Sequence, residues 1–228
     1  MRRLFIALLF LANSSTHAEC DIERVVRQNI DGSYIRLTQE QCEERDKRSI
    51  RVELKDSSGS HYKTVLRRKQ SAMVAPTGGG RLRDLDNDGV LEYEETGACG
   101  AGPNCEHSVF KINKSRTGTY AFFHGGYSDF IKLSKFYVTS GRTSCCSWSH
   151  HVYKKPSTER AISDRDFLYH VSVGDTSADD LPGTPCFIST RVRGNWVPLN
   201  TKNKNLLALC EVYGPDYILN PPRRTEEQ

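Results

Sequence analysis

Between residues 75 and 97 the chain reads APTGGGRLRDLDNDGVLEYEETG, and this segment constrains the fold more than any other. Asp84, Asp86 and Asp88 alternate ahead of Gly89, and Glu92 and Glu95 follow. The spacing matches the twelve-residue loop D-x-[DN]-x-[DN]-G-x5-E at each specified position. Carboxylates so spaced converge on one point and offer hard oxygen ligands, the donor set of a calcium ion. Asp84, Asp86 and Asp88 would give side-chain oxygens, Val90 its carbonyl, and Gly89 the sharp bend. Glu92 would act directly or through water, and Glu95 would close the shell with both oxygens. Asp, Asn and Gly also build plain exposed turns, the simpler alternative. The flanks decide the architecture. An entering helix would occupy residues 73–83, where Pro76 and Gly78-Gly79-Gly80 forbid one. On the far side Gly97 follows Glu95 by two residues, and no second loop of this pattern occurs. The helix pair whose opening makes a calcium sensor is therefore absent, and the ion reads as a structural one on a β scaffold.

The first eighteen residues read as an export leader: Arg2 and Arg3, the apolar run Leu4–Ala12, and a polar stretch ending at Ala18. Glu19 stands where a lipid-modified Cys20 would need a small residue, so export without a lipid anchor is expected. No later apolar run approaches a membrane span. All 8 cysteines lie beyond the leader. In an oxidising compartment such an even set is first a disulfide framework. Proximity in sequence pairs Cys20 with Cys42, Cys99 with Cys105 and Cys186 with Cys210, leaving Cys145 and Cys146 adjacent. These two would form a strained ring or pair with separate distant cysteines. Charge is nearly balanced, with 32 basic and 28 acidic residues, and loss of Arg2 and Arg3 brings the two closer. That balance argues against nucleic acid.

Alternating segments at 33–38, 50–56, 61–67, 107–113, 119–123, 130–133, 135–140, 147–154 and 167–173 predict short strands joined by turns. The fold class expected is mainly β, a short-strand meander of propeller-like or sandwich form with a strand-flanked calcium loop and a small C-terminal α/β extension. QEQCEERDKRSI is expected to make one helical turn around Cys42. Residues 203–215 form the best helix, capped by Asn203 and stopped by Gly214-Pro215. The divisions expected are a leader (1–18), an N-terminal β region (19–75), the calcium-bearing core (76–156), the extension (157–222) and a disordered tail (223–228).

RDLDNDGVLEYEE, the Gly/Cys turn, HSVFKIN and FIKLSKFYVTSGRTSCCSWSHHVYK occur in an order that resembles exported bacterial proteins with integrin-like, FG-GAP-type calcium loops. One branch of these resembles periplasmic propeller-like immunity proteins that inhibit peptidoglycan hydrolases. The resemblance covers residues 81–155, and within it only the calcium loop is specific. It implies ligation by Asp84, Asp86, Asp88 and Glu92, with Glu95 pointing elsewhere.

Other constellations carry less. Cys145, Cys146, His150 and His151, with His107 or His124, would suit zinc or copper, but no metal-ligand spacing supports them. A Cys/His nucleophile needs a free thiolate, and no G-x-S-x-G or HExxH motif occurs. The aspartates from Asp164 to Asp180 read as solvated loop residues. Phe122, Phe123, Tyr127 and Phe130 read as core, as do Trp148 and Trp196. The expectation is a periplasmic or secreted calcium-binding protein, not an enzyme. It would bind a protein partner in the cell envelope, with inhibition of a cell-wall hydrolase as one form of that role. The alternatives are a secreted enzyme using Cys/His or carboxylate residues, and a purely structural envelope protein.

Overall fold

A computed structural model describes residues 20–42, 47–71, 79–100, 103–174 and 183–222. The expected leader (1–18), Pro76 and Gly78, residues 175–182 and the expected tail (223–228) lie outside them. The described chain is mainly β and builds three sheets in succession, none closed into a barrel. β1 (Cys20–Gln28), β2 (Tyr34–Cys42), β3 (Lys47–Lys55) and β4 (Lys63–Ser71) form an antiparallel meander. A second meander contains β5 (Gly80–Arg83), β6 (Glu92–Cys99), β7 (Cys105–Ile112) and β8 (Thr119–Tyr127). The third begins with β9 (Asp129–Leu133), β10 (Phe136–Ser144) and β11 (Ser147–Lys154). After β12 (Ile162–Ser163) returns to pair in parallel with β8, the third sheet resumes with β13 (Tyr169–Val173), β14 (Thr184–Val192) and β15 (Asn195–Pro198). The boundary expected at residue 156 thus falls inside one sheet, because β11 pairs directly with β13. A short helix α1 (Lys204–Leu207), a 3-10 helix (Ala208–Tyr213) and β16 (Tyr217–Leu219) end the fold.

Three apolar cores order these layers. Ile35, Leu37, Ile50 and Val52 of the first sheet meet Tyr93 and Phe110 of the second. From the other face of the second sheet, Val109, Phe122, Phe123 and Tyr127 meet Phe130, Tyr137 and Tyr153 of the third. The far face of the third sheet carries Val138, Val152, Val171 and Ile188, which pack on Leu206 and Leu209. Each such side chain contributes roughly 1.5–3 kcal/mol on burial. The middle sheet is covered on both faces. Four aromatic rings around Gly125-Gly126 fill the second core, as the FFHGGYSDF segment predicts.

Several expectations change. Of QEQCEERDKRSI, the described residues are strand: Gln39–Cys42 end β2 and Lys47–Ile50 start β3, Gln39 faces Ile50 and Cys42 is bonded to Cys20 of β1, while residues 43–46 of the expected helical turn lie outside the described residues. The long C-terminal helix shrinks to one α-turn followed by a 3-10 turn. Asn203 Oδ1 does cap it by accepting from Asn205 N–H, but Cys210 is bonded to Cys186 and Gly214 ends it at φ 115°. Trp196 is not a core residue; it sits 37% exposed on β15 and stacks on Phe167. The three bridges are Cys20–Cys42, Cys99–Cys105 and Cys186–Cys210. The first two join residues directly opposite one another on paired strands. Disulfides of this number fit an oxidising compartment. Among the described residues no helix is long and apolar enough to cross a membrane.

The third sheet also buries histidines. His150 is only 4% exposed, with Nδ1 at 2.8 Å from Ser140 Oγ and Nε2 without a partner. His151 stacks on Phe167 at 4.2 Å and stands opposite His170. Burial, then the nearby His170, lowers the pKa of both His150 and His151 to about 4. In the unfolded chain they take up protons near pH 6.5, which the fold resists, so stability is full above that pH and falls as pH drops towards 4. We expect urea unfolding at pH 5 to show a clear loss against pH 7.5, with His150 contributing on the order of 3 kcal/mol across the whole window. His150→Gln should flatten the profile. A midpoint independent of pH between 7.5 and 5 would contradict this origin.

Candidate metal site

The acidic loop joins β5 to β6, so strands flank it on both sides. Its backbone is set by its own carboxylates. Asp84 accepts from the N–H groups of Asp88 and Gly89, each at 3.0 Å, and Asp88 Oδ1 accepts from Val90 N–H at 2.9 Å. Gly89 holds φ +84°, and a β-carbon there would lie 2.1 Å from Ile30 Cγ2, so both conformation and space require glycine.

One ligand atom from each of Asp84, Asp86 and Asp88 lies within 4.8 Å of the others. Among the described residues, the other group of this kind is Cys20, Glu40 and Cys42, whose thiols are joined to each other. Asp86 is 2% exposed, and its Oδ1 is buried without a hydrogen-bond partner. A buried carboxylate oxygen left so costs its desolvation unless a cation meets it. Glu92 turns its Oε2 onto Leu85 N–H at 2.7 Å, which folds the end of the loop back on its start.

Glu95 does not join this set. Three residues along a strand from Glu92, it emerges on the opposite face of β6, where it pairs with Arg68 of β4 at 2.8 Å. The carboxylate facing the loop is that of Glu92. Val90 takes its place in the loop backbone, one residue beyond Gly89.

The spacing of the motif gave no sign of Lys111. Its Nζ lies 2.7 Å from Asp86, 3.0 Å from Asp88 and 2.9 Å from Glu92. The side chain projects from β7 into the face that also carries Val109, inward between Phe110 and Ile112. Burial works against its charge, but Glu92 and Asp86 outweigh burial and raise its pKa above the ordinary lysine value. Tyr137 of β10 donates to Asp86 Oδ2 at 2.8 Å. Burial opposes the Asp86 charge too, yet Lys111 and Tyr137 hold its pKa below the usual carboxylate value. A lysine between apolar neighbours in a doubly covered strand was the one available signal, and it is visible only once the strand is known to be buried on both faces.

The loop touches all three sheets. Asn29, in the β1–β2 turn, accepts from Leu91 N–H at 3.0 Å, and Ile30 N–H donates to the Gly89 carbonyl at 2.9 Å. Lys111 belongs to the second sheet and Tyr137 to the third. Burial pushes the Glu92 carboxyl up to about 7 against the pull of Lys111, yet the three loop aspartates alone outnumber the one ammonium, so negative charge remains for a divalent cation. The other constellations do not assemble in this way. On β11, His150 and His151 alternate to opposite faces, and His107 packs against Tyr127 in the second sheet.

No family model and no curated protein sequence matches this chain, so no FG-GAP-type family is supported for it. Among solved structures, a Xanthomonas type IV secretion system related protein is similar at 12% identity and a TM-score of 0.46, over 78% of this chain and 93% of that one. A thermostable family-43 glycoside hydrolase is similar at 12% identity and a TM-score of 0.21, over 91% of this chain and 97% of that one.

Lys111 supplies a direct test of the site's charge balance. Without metal, Lys111→Met leaves Asp86 and Glu92 buried beside no cation and should cost about 3–5 kcal/mol. Added calcium should then raise the melting temperature more in the variant than in the wild-type protein, because a competing charge is gone. Equal rises in a thermal scan would show that Lys111 is not coupled to a cation in the loop.

Proposed function

We propose that the chain is an exported binding module in which the Asp84–Glu92 loop holds a calcium ion as a structural brace. The observation that carries this reading is the buried Asp86 Oδ1 without a hydrogen-bond partner, on a carboxylate that gathers with those of Asp84 and Asp88. Calcium takes six to eight oxygens in a flexible shell, which suits side-chain carboxylates of Asp84, Asp86, Asp88 and Glu92 with the Val90 carbonyl. When bound, the ion supplies charge neutralisation at the junction of three sheets. A switching role is disfavoured by the flanks, since β5 and β6 replace the paired helices whose reorientation makes a sensor. Extracellular calcium modules bind at roughly 10⁻⁴–10⁻³ M, a range suited to constant occupancy outside the cytosol.

The binding role draws on the third sheet. No side chain of β13, β14 or β15 contributes to the core between the second and third sheets. On this side Trp196 stacks on Phe167 at 4.8 Å and carries the Arg191 guanidinium at 5.1 Å. Aromatic residues and arginine side by side are the residue types that dominate macromolecular contacts. The partner is an envelope protein in this reading, and inhibition of a cell-wall hydrolase is the activity that the loop resemblance adds.

Thermal, spectroscopic and inhibition measurements test it. Calcium at ten times its dissociation constant should stabilise the fold by about 1.4 kcal/mol. Asp86→Ala should abolish the resulting rise in melting temperature, and an equal rise in variant and wild type would remove the site. Far-UV circular dichroism and hydrophobic-dye binding should be unchanged by calcium below the melting point; a large gain in either would make the ion a switch. The binding role is read separately. Release of label from peptidoglycan by a hydrolase should slow in the presence of the protein and recover with Trp196→Ala.

A further inference from the structure

Cys145 and Cys146 form the two-residue turn between β10 and β11, with Ser144 and Ser147 paired across its base. Both are exposed and neither is bonded. The other six cysteines are joined in Cys20–Cys42, Cys99–Cys105 and Cys186–Cys210, so within one chain these two have only each other. The turn is held in place from beneath. Cys146 N–H donates to Ser144 Oγ at 3.2 Å, and the Thr143 and Ser144 hydroxyls each meet the Ser147 hydroxyl at 2.7 Å. A β-carbon at Gly174, where φ is +73°, would lie 2.4 Å from the Cys146 carbonyl oxygen, so the end of β13 packs directly against the turn. Arg142 brings a guanidinium to the same hairpin, seated over Trp148.

We propose that Cys145 and Cys146 are an exposed redox pair that closes and opens by exchange with low-molecular-weight disulfides of the glutathione class. The proposal is independent of the calcium loop. In the closing direction one thiolate attacks a sulfur of oxidised glutathione, forming a mixed disulfide and expelling one reduced glutathione. The neighbouring thiol gives its proton to solvent and attacks the protein sulfur of that bond. The Cys145–Cys146 bond forms and a second reduced glutathione leaves. Two electrons pass from the protein thiols to the small disulfide, and the opening reaction reverses each step.

Geometry separates this pair from the three bridges. Closing adjacent cysteines makes a small ring that must contain the planar peptide between them, and such strain makes the bond easily reduced. The other bridges span sequence separations of 22, 6 and 24 and join partners on different strands or on a strand and a helix. Access adds to this against Cys186–Cys210, whereas Cys99 is exposed too and its bridge differs from the pair by ring geometry alone. Attack on a disulfide needs the approach of an external thiolate, and Cys186 and Cys210 are fully buried while the hairpin tip stands in solvent.

The test uses the full chain, equilibrated in glutathione buffers from strongly reducing to strongly oxidising, then alkylated and mapped by mass spectrometry. Cys145 and Cys146 should change state together and be half-reduced at a ratio of reduced to oxidised glutathione at least tenfold below that which opens any other bridge. Cys146→Ser should trap Cys145 as a single glutathione adduct, and Cys145→Ser/Cys146→Ser should melt with the wild-type protein. The proposal fails if the pair stays reduced in every buffer, if it resists reduction as the other bridges do, or if oxidation gives only cross-linked dimers.

Discussion

The middle of this fold is an acidic strand from which water is excluded. Glu92, Glu94 and Glu95 of β6 are all less than a tenth exposed. Removing a carboxylate from water costs several kcal/mol unless a cation and hydrogen bonds replace the solvent. Each receives its counter-charge from a different place: Glu92 from Lys111 on β7, Glu94 from Arg81 on β5, and Glu95 from Arg68 on β4. Tyr127 adds a hydrogen bond to Glu94 at 2.7 Å. Burial opposes the Glu94 charge, but Arg81 and Tyr127 hold its pKa below the ordinary value. The strand is therefore tolerable only when β4, β5, β7 and β8 are all in position. That requirement couples the first sheet to the second and gives the loop a fixed platform.

The same arrangement explains what was legible in the sequence. The acidic loop is a local pattern, since Asp84, Asp86 and Asp88 alternate, Glu92 follows four residues on, and no tertiary contact is needed to bring them together. The cysteine pairs were legible for a related reason: two of the three bridges join strands that are neighbours in sequence. Strand β6 was not. In EYEETGAC, polar residues occupy inward positions on both faces, so the alternation that marks a strand is missing from the hydropathy. Lys111 escaped notice because its partners lie 19 to 25 residues away, and only the β6–β7 register shows that its strand position faces the loop. Trp196 misled in the opposite way, since a large aromatic side chain on a terminal strand of a sheet has no second layer to enter.

Charge and aromatic packing divide the work between the two interfaces of the middle sheet. Towards the third sheet, Phe122, Phe123, Tyr127, Phe130 and Tyr137 pack with ring centroids 5.2–6.0 Å apart in tilted and edge-on contacts. Tyr127 and Tyr137 each carry a hydroxyl out of this cluster to a buried carboxylate, Glu94 and Asp86 respectively. Polar tips on otherwise apolar rings thus connect the dry core to the acid strand and to the loop.

The first strand shows what a bridge at a strand end does mechanically. β1 is an outer strand whose side chains are mostly in solvent, with Ile22 at 60% and Val26 at 43% exposure, so little apolar burial keeps it in the sheet. It is anchored at one end by the Asn29–Ser33 turn and at the other by Cys20–Cys42. A pull on either end cannot unzip its ladder of hydrogen bonds one at a time, because neither terminus of the ladder is free to lift. The strand must shear as a whole or stay. Strand exchange with a second copy would require the same simultaneous rupture, so the clasp guards the sheet's open border against the donation of a strand between molecules.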